Sequence, residues 1–138
     1  MFIFQFVFLR QDSYTRRASL SLPFPFHRPI DTEIGNSPDK RGQKLMKSKG
    51  IPMSHVARQI KPEDYRRFDF IFGMDEDNLS NLRRRKPTDA QCEIDFLGSF
   101  DPQGEKIIHD PYTGTMDDFV HVYEQCLRCC DAFLQQQT

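Results

Sequence analysis

The stretch FDFIFGMDEDNLSNLRRRK, residues 68–86, changes character at its middle. Its first half is an apolar run broken only by Asp69, the pattern of a strand buried on both faces of a parallel sheet. Its second half puts Asp75, Glu76 and Asp77 first and Arg83 to Lys86 last, the order a helix dipole favours. Pro87 limits that helix. A strand running directly into a helix is the unit of an α/β domain. Asp75 falls at the junction, where open α/β sheets bind ligands outside the carboxyl ends of their strands. Aspartate is also a preferred helix N-cap, and the two readings are compatible.

Working outward, residues 36–39 (NSPD) read as a turn and a helix start, with a helix through KRGQKLMKSKG that stops at Gly50. SHVARQI, residues 54–60, reads as a short strand, and Lys61-Pro62-Glu63-Asp64 opens another helix. CEIDFLG, residues 92–98, alternates as a strand, and residues 101–114 (DPQGEKIIHDPYTG) read as loop. Thr115 with Asp118 resembles a capping box. Phe119, Val122, Tyr123, Cys126, Cys130 and Phe133 then share one face of a long helix. Helices alternating with short buried strands predict an α/β fold with a parallel sheet.

Residues 1–32 are compositionally foreign to the rest. Six of the 13 phenylalanines lie within the first 26 residues, and Pro23, Pro25 and Pro29 exclude helix where they stand. FIFQFVFL, residues 2–9, reads as a buried strand. The expected division is therefore an atypical segment at 1–32 and a globular domain at 33–138.

A net charge of −1 gives no global pull toward nucleic acid or a membrane surface. No run approaches the roughly 18–20 apolar residues of a membrane span, so no membrane insertion is expected. MFIFQFVFL lacks the preceding positive charge of a secretory signal. Cys92, Cys126, Cys129 and Cys130 show no disulfide-type spacing, which predicts reduced thiols and a cytoplasmic protein. Cys126 and Cys130 lie on the apolar helix face, and no second CxxC pair exists to complete a zinc site. No metal or cofactor is expected. The basic run Arg83–Lys86 reads as a solvated helix end, and a lone histidine such as His55 is more often structural than catalytic.

Asp110 is harder to assign. In KIIHDPYTG, residues 106–114, Asp-Pro fixes the backbone, Tyr112 supplies a flat face and Gly114 frees the turn. On these residues alone a catalytic acid and a plain Asp-Pro turn are equally good readings.

Several segments taken together carry a resemblance: EIGNSPDKRGQKLMKSKGIPMSHVARQI, FDFIFGMDEDNL, LGSFDPQ, DPYTG and YEQCLRCCDAFL, in this order. They look like the low molecular weight protein tyrosine phosphatases, also called low molecular weight acid phosphatases, over about residues 33–135. The resemblance implies a three-layer fold with a parallel sheet. It implies hydrolysis of phosphotyrosine monoesters through a cysteinyl-phosphate, and phosphotyrosine proteins as partners. By position, Asp110 matches the general acid/base and Tyr112 an aromatic wall of the substrate cleft. His55 and Asp75 match positions that support the phosphate loop.

The departure lies in residues 1–32. The family's Cys-x5-Arg phosphate loop should stand near the start, yet that segment contains no cysteine. Gly98, Ala132, Gln135 and Gln136 stand six positions after the four cysteines, so no Cys-x5-Arg occurs in the 138 residues. The family strand and phosphate loop are expected to be lost, or replaced by residues 1–31. General acid help is worth roughly 10² to 10⁴ in rate, but here it would assist a displacement without its nucleophile. The expectation is an inactive splice or start-site variant, or an imperfect gene model, of a phosphatase. The alternative is a non-catalytic decoy that keeps the surface around Asp110, Tyr112 and Arg83–Lys86 and competes with an active phosphatase.

Overall fold

The computed structural model describes residues 6–9, 39–51 and 59–137, and for 6–9 the backbone alone. The elements are β1 (Phe6–Leu9), α1 (Lys40–Ser48), α2 (Pro62–Arg67), β2 (Phe70–Gly73), α3 (Glu76–Arg85), β3 (Glu93–Phe96) and α4 (Met116–Gln136). Two short 3₁₀ turns, Leu97–Phe100 and Pro111–Thr113, lie between β3 and α4. The expected strand at 54–60 falls largely outside the described residues, and its last two, Gln59 and Ile60, are irregular.

β2 is central. It pairs parallel with β3, Ile71 opposite Ile94, and antiparallel with β1, Phe72 opposite Val7. The sheet is therefore mixed where the sequence predicts parallel strands only. A strand from the N-terminal segment does lie beside β2, in the direction opposite to β3.

Alternation along β2 builds two cores. Phe72 joins Met74, Leu97, Ile108, Val122, Cys126, Cys129, Cys130 and Phe133 beneath α4. Ile71 joins Tyr65, Phe68, Leu82, Ala90 and Cys92 beneath α2 and α3. Side chains at successive strand positions point to opposite faces, so an all-apolar strand needs a layer on each side. The result is the three-layer α/β arrangement. On the α4 side Phe70, Phe72 and Phe100 all meet the Phe133 ring edge to face, with centroids 4.9–5.1 Å apart. Such pairs add about 0.5–1.5 kcal/mol each beyond their buried area.

The helix ends follow local chemistry. Asp39 caps α1, its Oδ1 accepting the Arg41 amide at 2.8 Å. α1 closes with the Gly50 amide on the Lys47 carbonyl and the Ile51 amide on the Met46 carbonyl, a Schellman motif. Gly50 holds φ +72°, the left-handed conformation that this motif asks of its glycine. α2 carries Pro62 at its first position, and the Asp64 carboxylate reaches back to the Lys61 amide at 2.8 Å. α4 opens with the Thr115–Asp118 capping box read in the sequence.

The turn after β3 presses against the loop that leads to Asp110. Gly98 is buried, and a Cβ there would run into the backbone of Glu105 and Lys106. Main chain cannot swing aside as a flexible side chain can. We expect Gly98→Ala to cost about 1–3 kcal/mol, as overpacking does, and to lower the denaturation midpoint without changing the slope. Wild-type stability in that variant would refute the close approach.

Candidate functional site

The 101–115 segment has one short turn of regular structure, and side chains from α4 hold its backbone in place. Gln125, although only 2% exposed, donates from Nε2 to the Glu105 and Ile107 carbonyls at 2.9 and 3.1 Å. Arg128 grips Asp101 with two bonds, Nε to Oδ1 at 2.7 Å and Nη2 to Oδ2 at 2.9 Å, and reaches Glu105 Oε2 at 2.7 Å. The Asp101 side chain is fully covered. The guanidinium beside it holds its carboxyl below the ordinary range. His121 closes the outer end, with Nε2 3.2 Å from Glu105 Oε2.

Next along the chain, the Ile108 amide donates to the Met74 carbonyl at 2.9 Å. That bond brings the approach to Asp110 to the carboxyl end of β2, beside Asp75. Asp75 caps α3, its Oδ1 accepting the Asn78 amide at 2.7 Å. Asn78 is buried, and its Oδ1 accepts the Met74 amide at 3.2 Å. The capping reading of Asp75 is therefore observed, and its position at the strand end is the one where such sheets bind ligands.

Asp110 caps the turn Pro111–Thr113, which carries Tyr112 and buries Pro111. Asp110 Oδ1 accepts the Tyr112 amide at 3.0 Å. Its carboxyl is exposed, and Tyr112 is 48% exposed beside it. The turn-forming reading of Asp110 is thus observed: one oxygen folds the loop, and the residue lies at the surface. His55 lies outside the described residues.

One site residue escaped the sequence reading. Arg41, on the first turn of α1, donates from Nη2 to the Tyr112 carbonyl at 2.7 Å and from Nη1 to the Gly114 carbonyl at 2.8 Å. Its only local signal is the Asp39-x-Arg41 spacing, because its loop partners are 71 and 73 residues away.

The basic end of α3 belongs elsewhere. α3 leaves the carboxyl end of β2 and runs back toward the start of β3. Its ten residues therefore carry Arg83–Arg85 roughly 15 Å from Asp75. Lys86 donates from Nζ to the Cys92 carbonyl at 2.6 Å, just ahead of β3. Asp110, Tyr112 and Arg83–Lys86 do not form the single surface that the sequence reading joined.

All four cysteines are free and buried. Burial pushes the Cys129 thiol up to about 11 and that of Cys130 to about 12, and raises Cys92 and, further, Cys126. Among the described residues no group of three or more His, Cys, Asp or Glu is placed to hold a metal ion. No helix among them is long and apolar enough to cross a membrane.

The family model for low molecular weight phosphotyrosine protein phosphatase matches residues 30–138. The chain belongs to this family. A low molecular weight phosphotyrosine protein phosphatase from Homo sapiens is 57% identical over 106 residues, covering 75% of this chain and 67% of that protein. Among solved structures, Primo-1 shares 39% identity at a TM-score of 0.69, covering 75% of this chain and 69% of its own. The Drosophila arginine phosphatase DARP shares 36% at 0.72, covering 77% and 71%. The phosphatase fold expected from the sequence is thereby established. The chain spans about two-thirds of the length of the relatives it matches.

The Asp101–Arg128 pair sets an acid limit on this phosphatase-like domain. Asp101 has a lowered pKa when folded, so its contribution is complete above the ordinary value of 3.8 and is lost as pH falls below it. Asp101→Asn should cost on the order of 3 kcal/mol at neutral pH by breaking a covered pair. It should also make the acid limb of the stability curve shallower, though not flat, because Asp39 and Asp118 shift the same way. An unchanged limb in denaturant titrations from pH 7 to 2 would remove Asp101 from this role.

Proposed function

We propose that this chain is a phosphatase-family domain that presents the family's acid loop but, as a 138-residue chain, does not turn over phosphotyrosine esters. The chemistry needs a thiolate facing a phosphate cradle. What carries the reading is the state of the thiols. Every cysteine is buried with its pKa raised, and none is followed six residues later by arginine.

In this reading Asp110 is the retained general acid/base and Tyr112 the wall against which an aryl group stacks. Asp75 and His55 are the retained supports of a phosphate loop. The exposure of Asp110 and Tyr112, and the Ile108–Met74 bond that brings their loop to the end of β2, support these two roles. Phosphotyrosine proteins are the natural ligand class for such a surface. The free thiols support a cytoplasmic location, and residues 1–32 fit a splice or start-site variant or an imperfect gene model.

A second reading, the decoy, draws on the exposure of Tyr112 and Asp110. It narrows to that loop, since the basic end of α3 lies at the other end of the sheet. A decoy slows an active family member on a phosphoprotein substrate at stoichiometric concentrations; an inert variant does not.

Incubation with para-nitrophenyl phosphate tests the main proposal. No burst, no steady release above buffer and no phosphocysteine by mass spectrometry is the expected result. A trapped phosphocysteine, or turnover abolished by Asp110→Asn, would overturn it.

A further inference from the structure

We propose that Arg41 is the positioning residue of the Asp110 loop, a latch that sets the direction in which Asp110 and Tyr112 face. The guanidinium is fixed from two sides before it touches the loop. Asp39 takes it side-on, Oδ1 from Nε at 3.1 Å and Oδ2 from Nη2 at 3.0 Å. The ring of Phe119, fully buried at the start of α4, lies under its centre at 4.5 Å. With its plane fixed, the outward N–H groups meet the Tyr112 carbonyl in the middle of the turn and the Gly114 carbonyl just past its end.

Tyr112 is consequently held on both sides of its Cα. Its amide donates to Asp110 and its carbonyl accepts from Arg41. The Gly114 amide, meanwhile, closes the turn on the Pro111 carbonyl at 3.0 Å. Rotation of the turn would break both Arg41 bonds at once. One planar cation thus couples the start of α1, the acid loop and the start of α4. Lysine cannot substitute, because a single ammonium lacks the rigid fork that serves a carboxylate on one side and two carbonyls on the other. The same commitments keep Arg41 from serving as a stand-in for the missing phosphate-binding arginine.

The inference rests on the reading of Asp110 as the family's acid only for its functional sense. The latch is tested without turnover, so the two fail separately: a phosphatase burst would sink the previous proposal and leave this one intact. Residue-resolved amide hydrogen exchange on the full chain is the experiment, with the α4 amides 126–130 as reference. In Arg41→Ala the Tyr112 and Gly114 amides should exchange at least about tenfold faster while the reference stays within about twofold. Arg41→Lys should leave most of that defect, and the Tyr112 amide proton should lose the downfield shift of a carboxylate bond in both variants. Asp39→Asn, which frees the fork without removing it, should give a smaller acceleration at the same two amides and keeps the test open if Arg41→Ala does not fold. Unchanged loop exchange, a rise shared equally by α4, or wild-type rates in Arg41→Lys would each overturn the proposal.

Discussion

Ile71, Phe72 and Gly73 of β2 offer no surface to water, and this constraint shapes the rest of the molecule. A strand with an apolar side chain on each face cannot rest against a single layer. α4 must cover one side while α2 and α3 cover the other. The backbone of β2 is also spoken for, by β3 on one edge and β1 on the other. Because the strand is buried and parallel to β3, α3 must carry the chain back along the sheet, which puts the acidic end of α3 at the carboxyl end of the strands and its basic end at their amino end. The position of Asp75 follows from that return path.

The loop that carries Asp110 depends on a different physics. Between Leu97 and Met116 the chain forms no strand or α-helix, so its polar backbone groups need partners from elsewhere. α4 supplies two of them through Gln125, which serves the Glu105 and Ile107 carbonyls, while Arg128 takes the Asp101 and Glu105 carboxylates. α1 serves two more, the Tyr112 and Gly114 carbonyls, through Arg41. The Asp110 loop and the core are consequently parts of one structure, with the loop placed by side chains that also order the packing.

The sequence makes elements legible where the governing interaction is local. The apolar run at 68–74, the charge order of α3, Gly50 after α1 and the Thr115–Asp118 box are each decided within a few residues. What stays hidden is set at a distance. The antiparallel direction of β1 is not written in FIFQFVFL, because an apolar strand pairs either way until the connecting chain decides. Gln125 sits between Val122 and Cys126 on an otherwise apolar face, where its amide only makes sense once the Glu105 and Ile107 carbonyls are known. Arg41 looks like ordinary helix surface. Asp110 and Tyr112 could be placed from a family motif, whereas the residue that holds them could not.

The buried cysteines of α4 have a practical corollary. Cys129 is fully covered, Cys126 and Cys130 are 8% exposed, and Cys92 is 3% exposed on the opposite side of the sheet. A thiol reagent therefore reaches them only when a layer lifts from β2. Alkylation rates at Cys92 and at the α4 trio report the opening of two different layers of the same domain, a pair of clocks built into its two cores.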